Sequence, residues 1–407
     1  MKKNIKRNSA IPIKPGNLKL DNNINNESSK TDEQKTVPLS SSILEKEYDN
    51  YTKASISAKS FGQIKSFGYN TYKGLFKNIN EDKVSVSSQV KKPVNSKIKV
   101  WPKISYFGLF DGHGGETCSE FFKKNFLLYL TENKNFPLEM KTCITETIIK
   151  VEEEFFKQYC SSTLEDSDLS GSCALICIIF DNKIYIANVG DSRAIISLNK
   201  GTKVRQLTVD HKPKDPKEYE RAIKNGSKIY IDNSDEVDRD INKLDCIKDK
   251  SEFEKYKNDK DVVFREYPSD LAVMRTVGDI KAKKKEFGGI PGSIINTPDI
   301  FMLDINSTND FIIMGCDGIF DDMSNEEVVN AAWYIYKNKA KDKNYNIHEL
   351  SGDACDIIIK YGMEKETTDN LSCIIIGLEG LEKFLKDKST KDKVNISFKK
   401  SANKGSV

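Results

Sequence analysis

The chain has 407 residues, of which 38% are apolar and 31% charged. Its 64 basic and 61 acidic residues leave a net charge of +3, so no bulk field calls for nucleic acid or a membrane surface. No run of ~18 apolar residues is present, which excludes a membrane-spanning helix, and the length allows two or three domains at roughly 150 residues each.

Residues 1–60 are rich in Asn, Ser, Lys and Asp and poor in aromatics. They carry too little apolar area to offset the entropy of ordering, so the expectation is a disordered polar segment. The opening MKKNIKRNSAIPIKPGNLKL has basic residues with no apolar stretch behind them, so a secretory signal is not expected. Lys2 in place of glycine excludes N-myristoylation. ISYFGLF (104–110) reads as a strand, and residues 116–130 and 137–159 show helical spacing. ALICIIF (174–180), an Asp181-Asn182 turn, KIYIANV (183–189), a Gly190-Asp191 turn and RAIISL (193–198) predict a three-strand antiparallel meander. A polar stretch at about 231–262 interrupts the core and reads as a solvated insertion. FIIMGC (311–316) and LSCIIIGL (371–378) are further strands, apolar almost throughout, as expected where both faces are covered. Residues 325–340 and 350–364 read as helices, the first with Asn325 as N-cap and Glu326 and Glu327 at the positive end of its dipole. The tail from about 381 to 407 is Lys-rich and polar, with VNISF as its one strand-like run. Helices and strands without strict alternation predict an α+β fold, with sheets packed together and helices on their outer faces.

Nine cysteines with no C-x-x-C pair, several inside apolar runs, read as reduced buried thiols and not as a disulfide frame or zinc site. Only three histidines are present, His113, His211 and His348, so a histidine-built metal centre is excluded. Any metal must be held by carboxylates, and hard oxygen donors favour magnesium or manganese.

The carboxylates for such a site stand at strand ends. ISYFGLF runs into Asp111-Gly112-His113-Gly114-Gly115, and KIYIANVG into Asp191. FIIMGC runs into Asp317-Gly318-Ile319-Phe320-Asp321, and Asp369-Asn370 leads into LSCIIIGL. Glu81-Asp82 adds a further acidic pair. Taken singly, each Asp-Gly is also an ordinary turn. Taken together, acids beside apolar strands lose hydration and repel one another unless a cation neutralises them. The glycines let the backbone approach an ion, so that a carbonyl can serve as a ligand. His113 sets a titratable imidazole beside the cluster, suited to general acid work at neutral pH.

These stretches resemble the metal-dependent type 2C protein serine/threonine phosphatases. In family order they are KGLFKNINED (73–82), FGLFDGHGG (107–115), GSCALI (171–176), ANVGDSRAI (187–195), LTVDHKP (207–213), LAVMRTVGD (271–279), GCDGIFDDM (315–323) and TTDNLSCIII (367–376). The resemblance spans residues 61 to about 380 and implies one catalytic domain there, carrying the polar insertion in its flap. It implies a central antiparallel β-sandwich flanked on both outer faces by helix pairs, a four-layer αββα arrangement. It also implies a binuclear Mg2+ or Mn2+ site, with a weaker third ion. By position, Asp111 would bridge both ions, the Gly112 carbonyl would bind one, and Asp317 and Asp369 the other. Glu81 and Asp82 would hold bound waters, Asp191 and Asp321 the third ion, and His113 would be the general acid. The implied activity is hydrolysis of phosphoserine and phosphothreonine in protein substrates by a metal-activated water.

The sequence departs from the family pattern at several places. Lys77 stands where the family has a phosphate-clasping arginine, keeping the charge but losing the bidentate fork. Cys173 replaces a threonine, and Met274 and Thr276 replace small residues, which read as packing changes. Arg275 is expected in a structural ion pair, Asp210 and His211 in the scaffold, and His348 at a helix start or on the surface. A pseudophosphatase acting as a binding module is the competing reading, with Lys77 as its support. A nuclease is disfavoured by the balanced charge and the lack of a basic stripe. The reading is of a monomer without a nucleic-acid partner, in the cytoplasm, with the nucleus as the second compartment.

Overall fold

The computed structural model of the chain describes residues 39, 42–94, 96–232, 244–341 and 345–387. Among them, two antiparallel sheets carry the fold. The six-stranded sheet runs in the order Ser55–Ile56, Ser66–Tyr72, Leu371–Gly377, Asn309–Gly315, Arg193–Leu198, Lys203–Gln206. The five-stranded sheet runs Asp299–Asp304, Lys183–Val189, Ala174–Phe180, Ile104–Phe110, Lys83–Ser87. Asn309–Gly315, Leu371–Gly377 and Ile104–Phe110 are buried along their whole length, which is why their sequences are mostly apolar and do not alternate. The two sheets meet through Phe67 and Phe107, whose rings lie edge to face at 5.5 Å. Helix Ile347–Glu364 lies on Ser66–Tyr72 and Leu371–Gly377 and packs beside helix Asn325–Asn338. Helix Thr117–Glu132 packs on Ile104–Phe110 and beside helix Met140–Tyr159, around a core that includes Phe122, Phe126, Ile148 and Phe155. The expected α+β class with antiparallel sheets is therefore observed. None of the helices among the described residues is long and apolar enough to cross a membrane.

The predicted meander is corrected by the sheet topology. Ala174–Phe180 and Lys183–Val189 do form a hairpin, pairing from Ala174 with Val189 to Phe180 with Lys183. Arg193–Leu198 does not continue it, but crosses to the other sheet and pairs with Asn309–Gly315 and Lys203–Gln206. The crossing is made at Gly190, whose φ of 118° is closed to L side chains. A local turn signal carries no information about which sheet the next strand joins.

Other expectations about element and segment boundaries are also corrected. Ser324, not Asn325, caps its helix: its side chain accepts from Glu327 N while Glu327 reaches back to Ser324 N, a capping box. Asn325 is the first helical residue and accepts from Arg193 Nη1 at 3.0 Å. Of the segment read as disordered, residues 1–38 and 40–41 lie outside the described residues, but 42–60 are held on helix Ile347–Glu364. Asp356 Oδ1 there accepts from Tyr51 Oη at 2.7 Å, Ala54 N at 3.0 Å and Asn70 Nδ2 at 3.0 Å. Polar ties to a buried carboxylate order this stretch, and composition does not register them.

The insertion expected to be solvated is partly folded. Residues 233–243 lie outside the described residues. The remainder adds strand Asp245–Cys246 and helix Lys250–Tyr256 to a small sheet whose other strands, Lys228–Ile231 and Phe264–Tyr267, flank the insertion. Phe253 is 1% exposed and stacks on Tyr219 at 4.0 Å, in a core shared with Met274. At the other end of the chain residues 379–387 are helical, with Leu381 and Leu385 buried, so the folded body runs past the expected boundary at 381. Residues 388–407, including VNISF, lie outside the described residues.

Candidate functional site

Register brings the acids to one end of the sheets. Lys83 pairs with Phe110, so Asp82 and Asp111 lie side by side just beyond that pair. Ala174 pairs with Val189, which sets Cys173 across from Gly190 and next to Asp191. In the other sheet Gly315 pairs with both Arg193 and Cys373. Asp317, Asp191 and Asp369 therefore leave their strands at the same end.

The electrostatics record how close these groups are. Burial, then the charges of Asp317, Asp82, Asp191 and Asp369, pushes the Asp111 carboxyl well above the carboxylate range. Burial and the charges of Asp191, Asp321 and Asp369 do the same to Asp317. Asp82 is 2% exposed and is pushed up to about 6, chiefly by burial, against the hydrogen bonding of Ser372 and Cys316. Among the described residues its Oδ2 has no hydrogen-bond partner. A crowded set of carboxylates with an orphaned buried oxygen fits hard divalent cations of the magnesium or manganese type. Asp82, Asp111, Asp317, Asp369 and Asp191 could hold them.

The other predicted residues stand around this set. Glu81 Oε1 accepts from Gly115 N at 2.6 Å, and its carbonyl accepts from Ser119 Oγ at 2.5 Å, tying it to the Asp111–Gly115 loop. Lys77 Nζ lies 2.9 Å from Asp369 Oδ1. Burial opposes the Lys77 charge, but Asp369, Glu81 and Asp317 outweigh it and hold its pKa above the ordinary lysine value. Asp321 Oδ1 lies 2.6 Å from Lys212 Nζ, which is also 3.7 Å from Asp191 Oδ2. The carboxylates assigned to a third ion thus share a lysine ammonium.

His113 is set by a small sheet of its own. Gly112 and His113 pair with Ser172 and Gly171, and Gly171 in turn with Gly278. This brings His113 Nε2 to 3.0 and 2.9 Å from the two carboxylate oxygens of Asp279. A Cβ on Gly171 would stand 2.0 Å from Asp279 Oδ2 and 2.4 Å from His113 Nε2, so only glycine fits beneath the pair. Burial disfavours the imidazolium, but Asp279 outweighs it and raises the His113 pKa above its ordinary value.

Asp279 and Lys212 are the residues that sequence reasoning missed. Both lie in quoted motifs, LAVMRTVGD and LTVDHKP, but nothing local marks their partners. Asn370 is a third, since its side chain accepts from Glu81 N at 2.9 Å and donates to Lys73 O and Ile79 O. The scaffold expectations agree with the contacts. Arg275 pairs with Glu218 and Asp299 at 2.6 and 2.9 Å. Asp210 receives Arg193, and His211, 1% exposed, accepts from Gly190 N at 3.1 Å. His348 opens its helix and contacts Ser57 Oγ at 2.6 Å.

Comparison with known proteins adds an independent line. The family model described as protein phosphatase 2C matches residues 76–371. Probable protein phosphatase 2C 27 of Arabidopsis thaliana is 29% identical over 272 residues, which is 67% of this chain and 58% of that relative. Protein phosphatase 2C 1 of Paramecium tetraurelia is 28% identical over 280 residues, 66% of this chain and 80% of that one. The chain thus spans less than two thirds of the plant relative's length. Among solved structures, serine-threonine phosphatase 2C from Toxoplasma gondii matches with a TM-score of 0.57 and 18% identity, covering 80% of this chain and 98% of that one. That last likeness is one of fold.

Proposed function

The chain belongs to the protein phosphatase 2C family, and from that premise we propose that it hydrolyses phosphoserine and phosphothreonine in protein substrates. The proposed site is a binuclear magnesium or manganese centre with a weaker third position. The observation that carries the reading is the crowding that drives Asp111 well above the carboxylate range, through burial and the charges of Asp317, Asp82, Asp191 and Asp369. Such a set is costly without cations and stabilised by them.

Asp111 would serve both ions, the Gly112 carbonyl one of them, and Asp317 and Asp369 the other, with Glu81 and Asp82 acting through waters. Asp191 and Asp321 would take the third ion in exchange for Lys212. When bound, the ions supply an activated water at neutral pH and neutralise charge on the phosphoryl oxygens.

The chain's own residues do the rest. Lys77 offers its ammonium to the phosphate as a point charge, without the two-pronged grip of arginine. Asp279 takes the Nε2 hydrogen of His113, orients the ring and favours its charged form. With its charged form favoured, His113 gives a proton from Nδ1 to the departing serine or threonine oxygen. No thiol nucleophile is required: burial pushes the Cys118 and Cys316 thiols well above their ordinary value, and neighbouring carboxylates add to it.

A pseudophosphatase is the second reading, favoured by Lys77 and its pairing with Asp369. Calorimetric titration with Mn2+ alongside turnover of a phosphothreonine peptide separates the two. Binding with metal-dependent turnover is expected, whereas binding without turnover would leave the pseudophosphatase.

A further inference from the structure

We propose that Leu75, Phe76 and Ile79 select phosphoproteins in which a large aliphatic or aromatic residue adjoins the phosphorylated serine or threonine, a specificity that rests on the phosphatase reading and narrows it. Residues 73–80, KGLFKNIN, connect strand Ser66–Tyr72 to Glu81 and Asp82. Leu75 is 43% exposed, Phe76 61% and Ile79 54%. Phe76 is the one phenylalanine among the described residues that stands exposed. Single exposed apolar side chains scattered over a surface are ordinary. Three within five residues, on both sides of the lysine proposed to meet the phosphate, mark a contact surface.

The loop is fixed by polar ties, so its apolar side chains are held in water. Asn370 Nδ2 donates to Lys73 O at 2.9 Å and to Ile79 O at 3.1 Å, and one side chain thereby fastens both ends. Lys73 Nζ donates to Lys77 O at 3.1 Å across the loop. Gly74, at φ 77°, lies so close to Asp369 that an added Cβ would meet its carbonyl oxygen at 2.4 Å. The loop is locked to the segment that carries Asp369. A ligand that covers Leu75, Phe76 and Ile79 removes their apolar area from water with little further ordering of the loop.

Lys77 identifies that ligand. Its Nζ lies 2.9 Å from Asp369 Oδ1, and its side chain is 39% exposed. A phosphate drawn to this ammonium brings the substrate backbone on either side of the phosphoresidue over the loop. An extended substrate advances by ~3.5 Å per residue, so the immediate neighbours of the phosphoresidue fall on the side chains that flank Lys77. KGLFKNIN holds two lysines and no acid, so a basic neighbour is repelled where an apolar one is covered.

Two phosphothreonine peptides of equal length and charge test this, one with leucine on both sides of the phosphothreonine and one with glutamine. Phosphate release is measured on the full chain with Mn2+. The ratio of kcat/KM, leucine over glutamine, should be on the order of tenfold. It should lie mainly in KM, because the contact forms before the chemistry. Phe76→Ser and Ile79→Ser should each lower the ratio several-fold, and Phe76→Leu should retain most of it. Leu138→Ser should leave it unchanged, since it removes a side chain 79% exposed in the connection between helices Thr117–Glu132 and Met140–Tyr159. A ratio near one in the native chain, with both peptides turned over, gives the loop to some other partner. That result overturns the proposal and leaves the phosphatase reading standing. A tenfold ratio that Phe76→Ser and Ile79→Ser both leave intact overturns it as well. Turnover of neither peptide ends the phosphatase reading and this proposal with it.

Discussion

The ring nitrogen Nε2 of His113 lies 2.9 Å from Asp279 Oδ2, a pairing of residues 166 apart in sequence. It makes Asp279 the residue that positions the proposed proton donor. Asp279→Asn should lower kcat for a phosphothreonine peptide on the order of 10²-fold. p-Nitrophenyl phosphate, whose leaving group needs little protonation, should lose much less. Paired steady-state kinetics on the two substrates measure the split. An equal loss on both would reduce Asp279 to a structural role.

Lys77 pairs with Asp369 and remains 39% exposed at its side chain, so it is free to turn to a phosphate. Lys77→Ala should raise KM several-fold more than it lowers kcat, because the ammonium binds the phosphate before and during the reaction alike. An unchanged KM would remove Lys77 from the site.

Asp82 bears on stability. Its carboxyl, held up at about 6 against an ordinary 3.8, favours the protonated form in the folded state. Its own contribution to the stability of the metal-free protein is therefore fully present below pH ~4 and is lost as pH rises through about 6. Asp82→Asn should raise the Tm of the chelated protein at pH 7.5 while weakening Mn2+ binding. A lower metal-free Tm in the variant would contradict this account.

Glu218 behaves in the opposite sense. It is 1% exposed, and although burial raises its pKa, Arg275 and Arg221 outweigh that and hold it below the ordinary 4.5. Its contribution is present above pH 4.5 and lost as pH falls through its folded value. Glu218→Ala should cost about 1–3 kcal/mol at neutral pH, because it removes a buried carboxylate partner from two guanidiniums, of which Arg275 keeps Asp299 at 2.9 Å. The gap between variant and wild-type Tm should narrow on acidification below pH ~4. A gap independent of pH would remove the ion pair from the stability of the flap.

How much of this was legible depended on range. Ile104–Phe110 and Ala174–Phe180 were readable because burial on both faces writes a nearly unbroken apolar run. The strand-end acids were readable because a carboxylate beside such a run needs an explanation. The switch of sheets at Gly190 was not, because a crossover and a hairpin begin with the same turn residues. Nor were the Asp279–His113 and Lys212–Asp321 pairs, which depend on which distant segments the sheets bring together. The cap at Ser324 was missed by one residue because Asn325 is an equally good capping type. Residues 42–60 were misread because hydrogen bonds from Tyr51 and Ala54 to Asp356 help to order them, and composition does not register such ties.

The central claim is that acids from both sheets meet to hold divalent ions, and that the chemistry depends on those ions. Phosphate release from a phosphothreonine peptide, measured with Mn2+ and with chelator on the native chain and on Asp317→Asn, tests it most directly. The account predicts release by the native chain only when Mn2+ is present, and a loss of roughly 10³-fold or more in Asp317→Asn. Release that persists in chelator, or an Asp317→Asn variant as active as the native chain, would contradict it.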